Sequence, residues 1–357
     1  MPRTTVARID LDALKANYRL ACVKAGPARA MAVVKADGYG HGIEAVVGAL
    51  ADTAGKFAVA CIEEALAIRA CGHRHPVVLL QGVHQRADVE TCVRQGFEPV
   101  LHSTCQLGWL APGMLPDFWL KVNTGMNRLG FRPEELASVV LGLARGQCKS
   151  GLLGFVTHYA CADDPGSSMT ERQTRIFEKA TEPWPELMRS VGNSAAHLRP
   201  NQPLYDWSRP GIMLYGGSPM AEKTGAELGL RAVMTLEAPL ISTRTVYAGE
   251  SVGYGATWVA RQDTLMGMVA IGYGDGYPRH AGTGTPAFVA GQRICLLGRV
   301  SMDMLAVDLS AAPEARIGDP VELWGPNVSV DEVAACAGTI GYELLTGVTA
   351  RVPRVYG

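Results

Sequence analysis

Five short stretches of this chain carry residues able to do chemistry, and Lys35 is the most telling of them. It ends an apolar, β-prone run, Met31 to Val34, and Asp37-Gly-Tyr-Gly40 breaks the strand directly afterwards. A strand end of this kind delivers an amine from a buried sheet to a glycine-rich rim. A lysine partly stripped of water there can lose its proton, which a Schiff-base nucleophile must do. Tyr39 follows on the same rim. Farther along, Lys121 precedes Asn123-Thr-Gly-Met-Asn-Arg128, Thr157-His158-Tyr159 closes another apolar run, Asn193-Ser194 a third, and Ser208-Arg209-Pro-Gly-Ile212 a fourth. One polar residue at a strand end is ordinary; a lysine, a histidine, a serine and two arginines converging on one face make a site.

Those residues need a scaffold that brings many strand ends together. Short β-rich runs are predicted over 31–36, 57–61, 76–81, 99–102, 118–123, 151–158, 190–193 and 207–215. Between them lie helical patterns at 42–51, 63–70, 86–95, 105–110, 133–143 and 169–180, and Pro133 followed by Glu134 and Glu135 makes a good helix start. This alternation predicts a parallel sheet, and its eight steps favour a closed (β/α)8 barrel of the TIM type, whose active sites lie at the carboxyl ends of the strands. A doubly wound open sheet is the alternative, although no GxGxxG follows the first strand. After Tyr215 the pattern changes: Gly216-Gly-Ser-Pro219 and the polar stretch 221–227 read as a linker. Strand-like runs follow at 232–242, 265–271, 287–289, 293–297, 304–309 and 320–324, with 329–337 as the one helical interruption. The expected organisation is therefore a barrel domain over 1–222 and a mainly-β domain over 223–357.

Bulk properties narrow the function classes. At 357 residues, two domains are the better prior, and 48% hydrophobic with 19% charged residues supports a large core. Lys plus Arg is 33 against 34 for Asp plus Glu, a net charge of −1, which argues against nucleic-acid or anionic-membrane binding. The nine cysteines are scattered with no CxxC pair, so reduced thiols and a cytoplasmic protein are expected, and no metal site is expected. The amino-terminal stretch lacks the apolar core of a signal peptide, and no apolar run reaches spanning length.

Taken in order, the motifs resemble those of alanine racemases, which use pyridoxal 5′-phosphate. The matching pieces are Ala32-Val-Val-Lys-Ala-Asp-Gly-Tyr-Gly-His-Gly42, Lys121-Val-Asn-Thr-Gly-Met-Asn-Arg-Leu-Gly130, Thr157-His158, Asn193-Ser-Ala-Ala196 and Arg209-Pro-Gly-Ile212. In the second domain they are Gly253-Tyr-Gly-Ala256, Ile271-Gly-Tyr-Gly-Asp-Gly-Tyr277, Gly298-Arg-Val-Ser-Met-Asp303 and Tyr342-Glu343. The resemblance runs from Ile9-Asp-Leu-Asp-Ala13 to Arg351-Val-Pro353, nearly the whole chain.

The resemblance implies an internal aldimine on Lys35 and racemisation by two bases on opposite faces of a planar intermediate, Lys35 and Tyr254. A phenol with an ordinary pKa near ~10 is a poor base at neutral pH. His158, linked to Arg209, is its implied partner. Arg209 would meet the cofactor's ring nitrogen. A guanidinium only donates, so it leaves that nitrogen unprotonated and disfavours transamination. The phosphate would be held by Tyr39, Ser194, the amides of Gly211 and Ile212, and Tyr342. Arg128 and the Met302 amide, followed by Asp303, would bind the substrate carboxylate, with Tyr273 as a gate against larger side chains. Lys121 matches a lysine that is often carbamylated to orient the arginine. Tyr254 would come from the other subunit of a head-to-tail homodimer. The implied activity is interconversion of L- and D-alanine, serving either peptidoglycan-precursor supply (D-alanine biosynthesis) or alanine catabolism.

One departure stands out. Some family members carry a histidine four residues before the phosphate-binding serine, supporting the arginine at the ring nitrogen; here that position is Ser190, so the supporting bond must differ. Competing readings are a racemase of broader or serine preference, a non-catalytic cofactor carrier, and a decarboxylase of the same fold. The carrier reading leaves Tyr254 and Met302 without a role, and the decarboxylase reading needs an acidic contact where Arg209 stands.

Overall fold

Runs that are apolar at every position form strands buried on both faces, as parallel sheets require. Phe57–Val59, Val77–Leu79 and Phe97–Leu101 are buried throughout and pair in parallel, Phe57 opposite Val77 and Val77 opposite Phe97. The computed structural model describes residues 4–357, so the first three residues of the expected barrel domain lie outside it. The sheet continues through Phe118–Lys121, Leu152–Val156, Met188–Ser190 and Trp207–Ser208. Its two ends are halves of one strand: Arg29–Ala30 pairs with Trp207–Ser208, and Ala32–Val33 pairs with Phe57–Val59. The eight-stave barrel thus closes through residues 29–33.

The first and last staves are shorter than predicted, for identifiable reasons. The expected strand over 31–36 ends at Val33, because the chain enters a left-handed turn after Lys35. The expected strand over 207–215 ends at Ser208. Pro210 brings no N–H to a ladder, Gly211 leaves the sheet at φ −120° and ψ −94°, and Ile212–Tyr215 forms a 3₁₀ turn. The stave predicted over 190–193 lies at Met188–Ser190.

The second sheet has eight strands built around the long Met234–Val246, and it recruits both ends of the chain. Val6–Ile9 pairs antiparallel with Met234–Val246 and parallel with Arg354–Tyr356. The helix Leu11–Ala25 then leads into the barrel, started by Asp10, whose carboxylate accepts the Ala13 amide at 2.8 Å. Two helices interrupt this domain rather than one: Val330–Cys336 and Gly341–Gly347, the second beginning and ending on a glycine. Asp331 joins the domains by accepting the amides of Ser218 (3.0 and 3.1 Å) and Gly225 (2.8 Å) in the connecting segment. No helix among the described residues is long and apolar enough to cross a membrane.

Near the amino ends of the staves the barrel interior is closed by a buried ion pair. Lys56 Nζ donates to Glu98, Glu98 also accepts Trp119 Nε1 at 2.9 Å, and the ammonium lies over the Trp207 ring, 5.2 Å from its centroid. Removing one partner leaves the other charge buried. Lys56→Met should therefore destabilise the protein by about 3–5 kcal/mol. Adding Glu98→Gln, which still accepts from Trp119, should restore most of that loss in urea midpoints.

Candidate active site

At the carboxyl ends of the staves lies a cavity of ≈ 660 Å³ whose walls include Lys35, Tyr39, Lys121, Arg128, His158, Asn193, Ser194, Arg209, Gly211, Ile212 and Tyr342. Strand ends separated by more than 170 residues of sequence are brought together here by barrel closure alone. Every residue that the sequence assigned to the barrel part of the site meets in this one space.

Lys35 stands where the first stave ends and an unusual turn begins. Ala36, Asp37, Gly38 and Tyr39 all have φ between 52° and 61°, a left-handed helical turn. For the three residues with side chains, that region costs about 1–2 kcal/mol each. The turn is held by Gly38 N to Val34 O (2.9 Å), Gly40 N to Ala36 O (2.9 Å) and Ile43 N to Asp37 Oδ1 (2.8 Å). It sends Tyr39 back over the cavity, stacked on Tyr215 with ring centroids 4.7 Å apart. The Tyr39 hydroxyl abuts Gly211, where a Cβ would lie 2.3 Å from it, so position 211 admits no side chain.

Arg209 is buried and fixed by acceptors at the ends of two staves. Nη1 donates to Ser190 Oγ (2.5 Å), and Nη2 to the carbonyls of Thr157 (2.6 Å) and Val191 (3.2 Å). The acceptor that replaces the family's histidine is therefore the Ser190 hydroxyl. Nη2 also lies 3.3 Å from His158 Nδ1. A guanidinium has no acceptor, so Nδ1 must accept, and the His158 proton sits on Nε2. Burial and the positive charges of Arg209, Lys121, Arg128 and Lys35 push the His158 pKa well below its usual value, keeping the ring neutral.

Burial acts on three cations of the wall in the same direction. Burial, then the charges of Arg209, Arg128 and Lys35, push Lys121 down to about 7. Lys35 is lowered by burial first, then by Arg128, with Arg209 adding to the effect and Glu64 opposing it. Arg209 is pushed down to about 10 by burial. Such a wall favours an anion and a neutral amine.

The expected anion cradle is partly engaged internally. Gly211 N donates to Ser194 Oγ at 2.8 Å, so the serine hydroxyl stands between that amide and the cavity, with its own proton to give. Ile212 opens the 3₁₀ turn, and its amide belongs to the donors that a helix start leaves without an intrahelical partner. Tyr342 reaches the same corner, 6.2 Å from Tyr39 between ring centroids.

The other residues assigned to the second domain lie elsewhere. Tyr254, Tyr273, Met302 and Asp303 are absent from the cavity wall of their own chain, and Tyr254 is 68% exposed. They share one surface. Gly274 N donates to Met302 O (2.8 Å), Tyr273 N to Ser301 O (3.1 Å), and Arg351 pairs with both Asp303 (2.7 Å) and Asp275 (3.3 Å). The Tyr254 turn lies against Arg299, whose Nη1 would be 3.1 Å from a Cβ on Gly255.

Several supporting residues escaped sequence reading. Gln173 is fully buried, and its Nε2 donates to Thr124 Oγ1 (3.0 Å) and His158 O (2.9 Å), while its Oε1 accepts Ala160 N (2.8 Å). Nothing in a glutamine on an amphipathic helix marks it as the support of a histidine loop. Glu64 accepts both Ala36 N and Ala60 N at 2.7 Å. A signal existed there, because acidic residues in the first turn of a helix that follows a barrel stave stand near the active face.

Comparison with known proteins agrees with this arrangement. Residues 9–219 match the family model "Alanine racemase, N-terminal domain", and residues 233–356 match "Alanine racemase, C-terminal domain". The alanine racemase of Marinobacter nauticus is 74% identical over 356 residues, covering 100% of both chains. The crystal structure of biosynthetic alanine racemase from Pseudomonas aeruginosa superposes with a TM-score of 0.93 at 48% identity, over 99% of each chain. That of alanine racemase from Bartonella henselae with covalently bound pyridoxal phosphate gives 0.86 at 30% identity, over 100% of each.

Two further histidines make the fold acid-sensitive. His41 is fully buried, with Nδ1 facing the carbonyls of Gly38 (3.0 Å) and Tyr39 (2.9 Å) and no partner for Nε2. His197 spans Asn193 O (2.8 Å) and Ser208 Oγ (3.0 Å). Burial pushes both down to about 4. A base whose pKa is depressed by folding binds its proton more readily when unfolded, so stability is present above the unfolded value and falls as pH drops towards the folded one. At pH 5 each should cost about 2 kcal/mol relative to pH 8. Urea midpoints measured between pH 8 and pH 5 should fall accordingly, and His197→Asn should flatten the profile.

Proposed function

The chain belongs to the alanine racemase family, and from that membership we propose that this isomerase interconverts L-alanine and D-alanine by two-base proton transfer with pyridoxal 5′-phosphate. The carrying observation is Lys35, a depressed amine in the wall of a cavity with Arg128 and Arg209. The surroundings fit an anionic, planar cofactor. Four cationic side chains share the wall, the Tyr39 hydroxyl lies flat against a side-chain-free Gly211, and the donors of Ser194, Ile212 and Tyr342 gather at one end.

Lys35 Nζ would hold the cofactor covalently, Arg209 would donate to its ring nitrogen, and Tyr39, Ser194, Tyr342 and the amides of Gly211 and Ile212 would hold its phosphate. Because Gly211 N already donates to Ser194, its contribution is to orient that hydroxyl outward. When bound, the cofactor supplies an electron-withdrawing ring that stabilises the electron pair left on the substrate's Cα. Lys35 Nζ exchanges the Cα proton on one face and Tyr254 Oη on the other. Neutral His158, with its proton on Nε2, donates to that phenol oxygen and favours its ionised form. Arg128 pairs with the substrate carboxylate, and the Met302 amide and Asp303 complete that contact, with Tyr273 limiting side-chain size.

Tyr254, Tyr273 and Met302 are exposed aromatic and thioether side chains on a surface separate from the cavity of their own chain. A head-to-tail homodimer in the cytoplasm, each copy offering this surface to the other's cavity, supplies the second base. Lys121, with a pKa near neutrality, is open to carbamylation: its neutral amine adds to carbon dioxide, releases a proton, and becomes an anion beside Arg128.

Lys35→Ala should abolish both the cofactor's absorbance in the visible and near-ultraviolet and alanine racemisation. Tyr254→Phe should keep the colour while losing roughly 10²–10⁴-fold in rate. Co-expressed, the two variants form hybrids with one intact site, so mixing should restore about a quarter of wild-type activity. Absence of any restoration would reject the shared site; full activity in Tyr254→Phe would reject the second base.

A further inference from the structure

The left-handed turn between Lys35 and Tyr39 fixes the spacing of an amine and a phenol that face the same cavity. Strained backbone of this kind persists only where its surroundings over-determine it. Within the turn, the amides of Gly38, Gly40 and Gly42 find carbonyls of the turn or of the preceding strand. The first amide, Ala36 N, instead donates to a side chain from another element: Glu64 Oε1, at 2.7 Å. The other oxygen of the same carboxylate accepts Ala60 N, also at 2.7 Å, just past the end of the neighbouring stave Phe57–Val59. Glu64 stands in the first turn of the helix Ile62–Ala70.

We propose that Glu64 is the positioning residue for Lys35 and Tyr39, its carboxylate capping the first amide of the left-handed turn and tying that turn to the adjacent stave. This inference deepens the cofactor reading above and rests on it for its meaning, though not for its test. The two amides are the first residue past Lys35 and the first past the neighbouring strand, so a single carboxylate sets the height of the lysine relative to the barrel rim.

The same carboxylate acts on the lysine electrostatically. The charges facing Lys35 are Arg128, from the loop after Phe118–Lys121, Arg209, Lys121 and, when protonated, His158; Glu343 lines the cavity from the helix Gly341–Gly347. Of these, Arg128 and Arg209 lower the lysine, and Glu64 raises it. Loss of its charge makes the amine easier to deprotonate.

The test uses Glu64→Ala, Glu64→Gln and, as control, the exposed neighbour Glu63→Gln, all in the full chain. Hydrogen exchange at Ala36 and Ala60 is read first. Both amides should lose protection in Glu64→Ala, and one of the two in Glu64→Gln, which keeps a single acceptor oxygen. Pyridoxal-phosphate affinity, followed by absorbance, should fall roughly 10- to 100-fold in Glu64→Ala. In Glu64→Gln, kcat should fall while KM for alanine stays within about twofold, because Arg128 is untouched. The pH at which the bound cofactor's absorbance titrates should move down. Wild-type exchange at both amides together with wild-type kcat in Glu64→Gln would overturn the proposal. Failure of the unaltered chain to bind pyridoxal phosphate would instead overturn the cofactor reading, leaving the exchange result to judge Glu64.

Discussion

Four cationic side chains held in one buried wall are the constraint on which the rest of this molecule depends. Lys35, Lys121, Arg128 and Arg209 face a common space; burial with repulsion from neighbouring cations depresses both lysines, and burial depresses the arginine at 209. Such a cluster would drift apart on a flexible scaffold. A closed barrel prevents this, because each stave is locked to two neighbours and the rim residues cannot separate without breaking strand pairs. Arg209 shows the economy of the solution: its donors end on Ser190, Thr157 and Val191, groups supplied by neighbouring staves as a consequence of register. The wall is thus pre-assembled for an anion and needs no rearrangement to receive one.

The neutral histidine follows from the same field. In a wall of this sign, protonating His158 would add a further positive charge, so the ring stays neutral and its tautomer is dictated by a donor-only neighbour. Arg209 thus donates both ways, to the Ser190 hydroxyl on one side and to His158 Nδ1 on the other, and His158 presents its own proton on Nε2. Gln173 completes it from behind, gripping the His158 carbonyl and the Ala160 amide so that the ring cannot swing away from Arg209.

Much of this was legible in the sequence. Apolar runs followed by glycine or polar residues marked the staves, and helices such as Arg86–Gln95 fell where their periodicity predicted. The barrel residues of the cavity were also legible, because they sit at the end of a strand or a few positions past one. Apart from Glu64, an acidic residue in the first turn after a stave, what escaped had no local signature. The left-handed turn is written in a sequence whose only conformational clue is glycine at 38, 40 and 42, while its capping carboxylate lies on another element. The strand Val6–Ile9 falls within the stretch expected to form the barrel, 1–222, yet its partners are residues 234–237 and 354–356, which no local pattern could reveal. The Ser190 contact to Arg209 was legible only as a missing histidine.

The choice of arginine at position 209 carries a consequence beyond positioning. A carboxylate facing a pyridine nitrogen would hold a proton there and deepen the ring's capacity for charge; a guanidinium with no acceptor cannot. Buried among neutral acceptors, Arg209 keeps its charge throughout the physiological range even after its pKa is depressed. A lysine buried in its place could lose its proton and, once neutral, accept as well as donate. The ring would then meet a mixed partner, and electrons left at the substrate's Cα would have a second place to be reprotonated. On the proposed reading, fidelity for racemisation over transamination would be tied to a group that can only donate, and the barrel secures that group through acceptors at the ends of two staves.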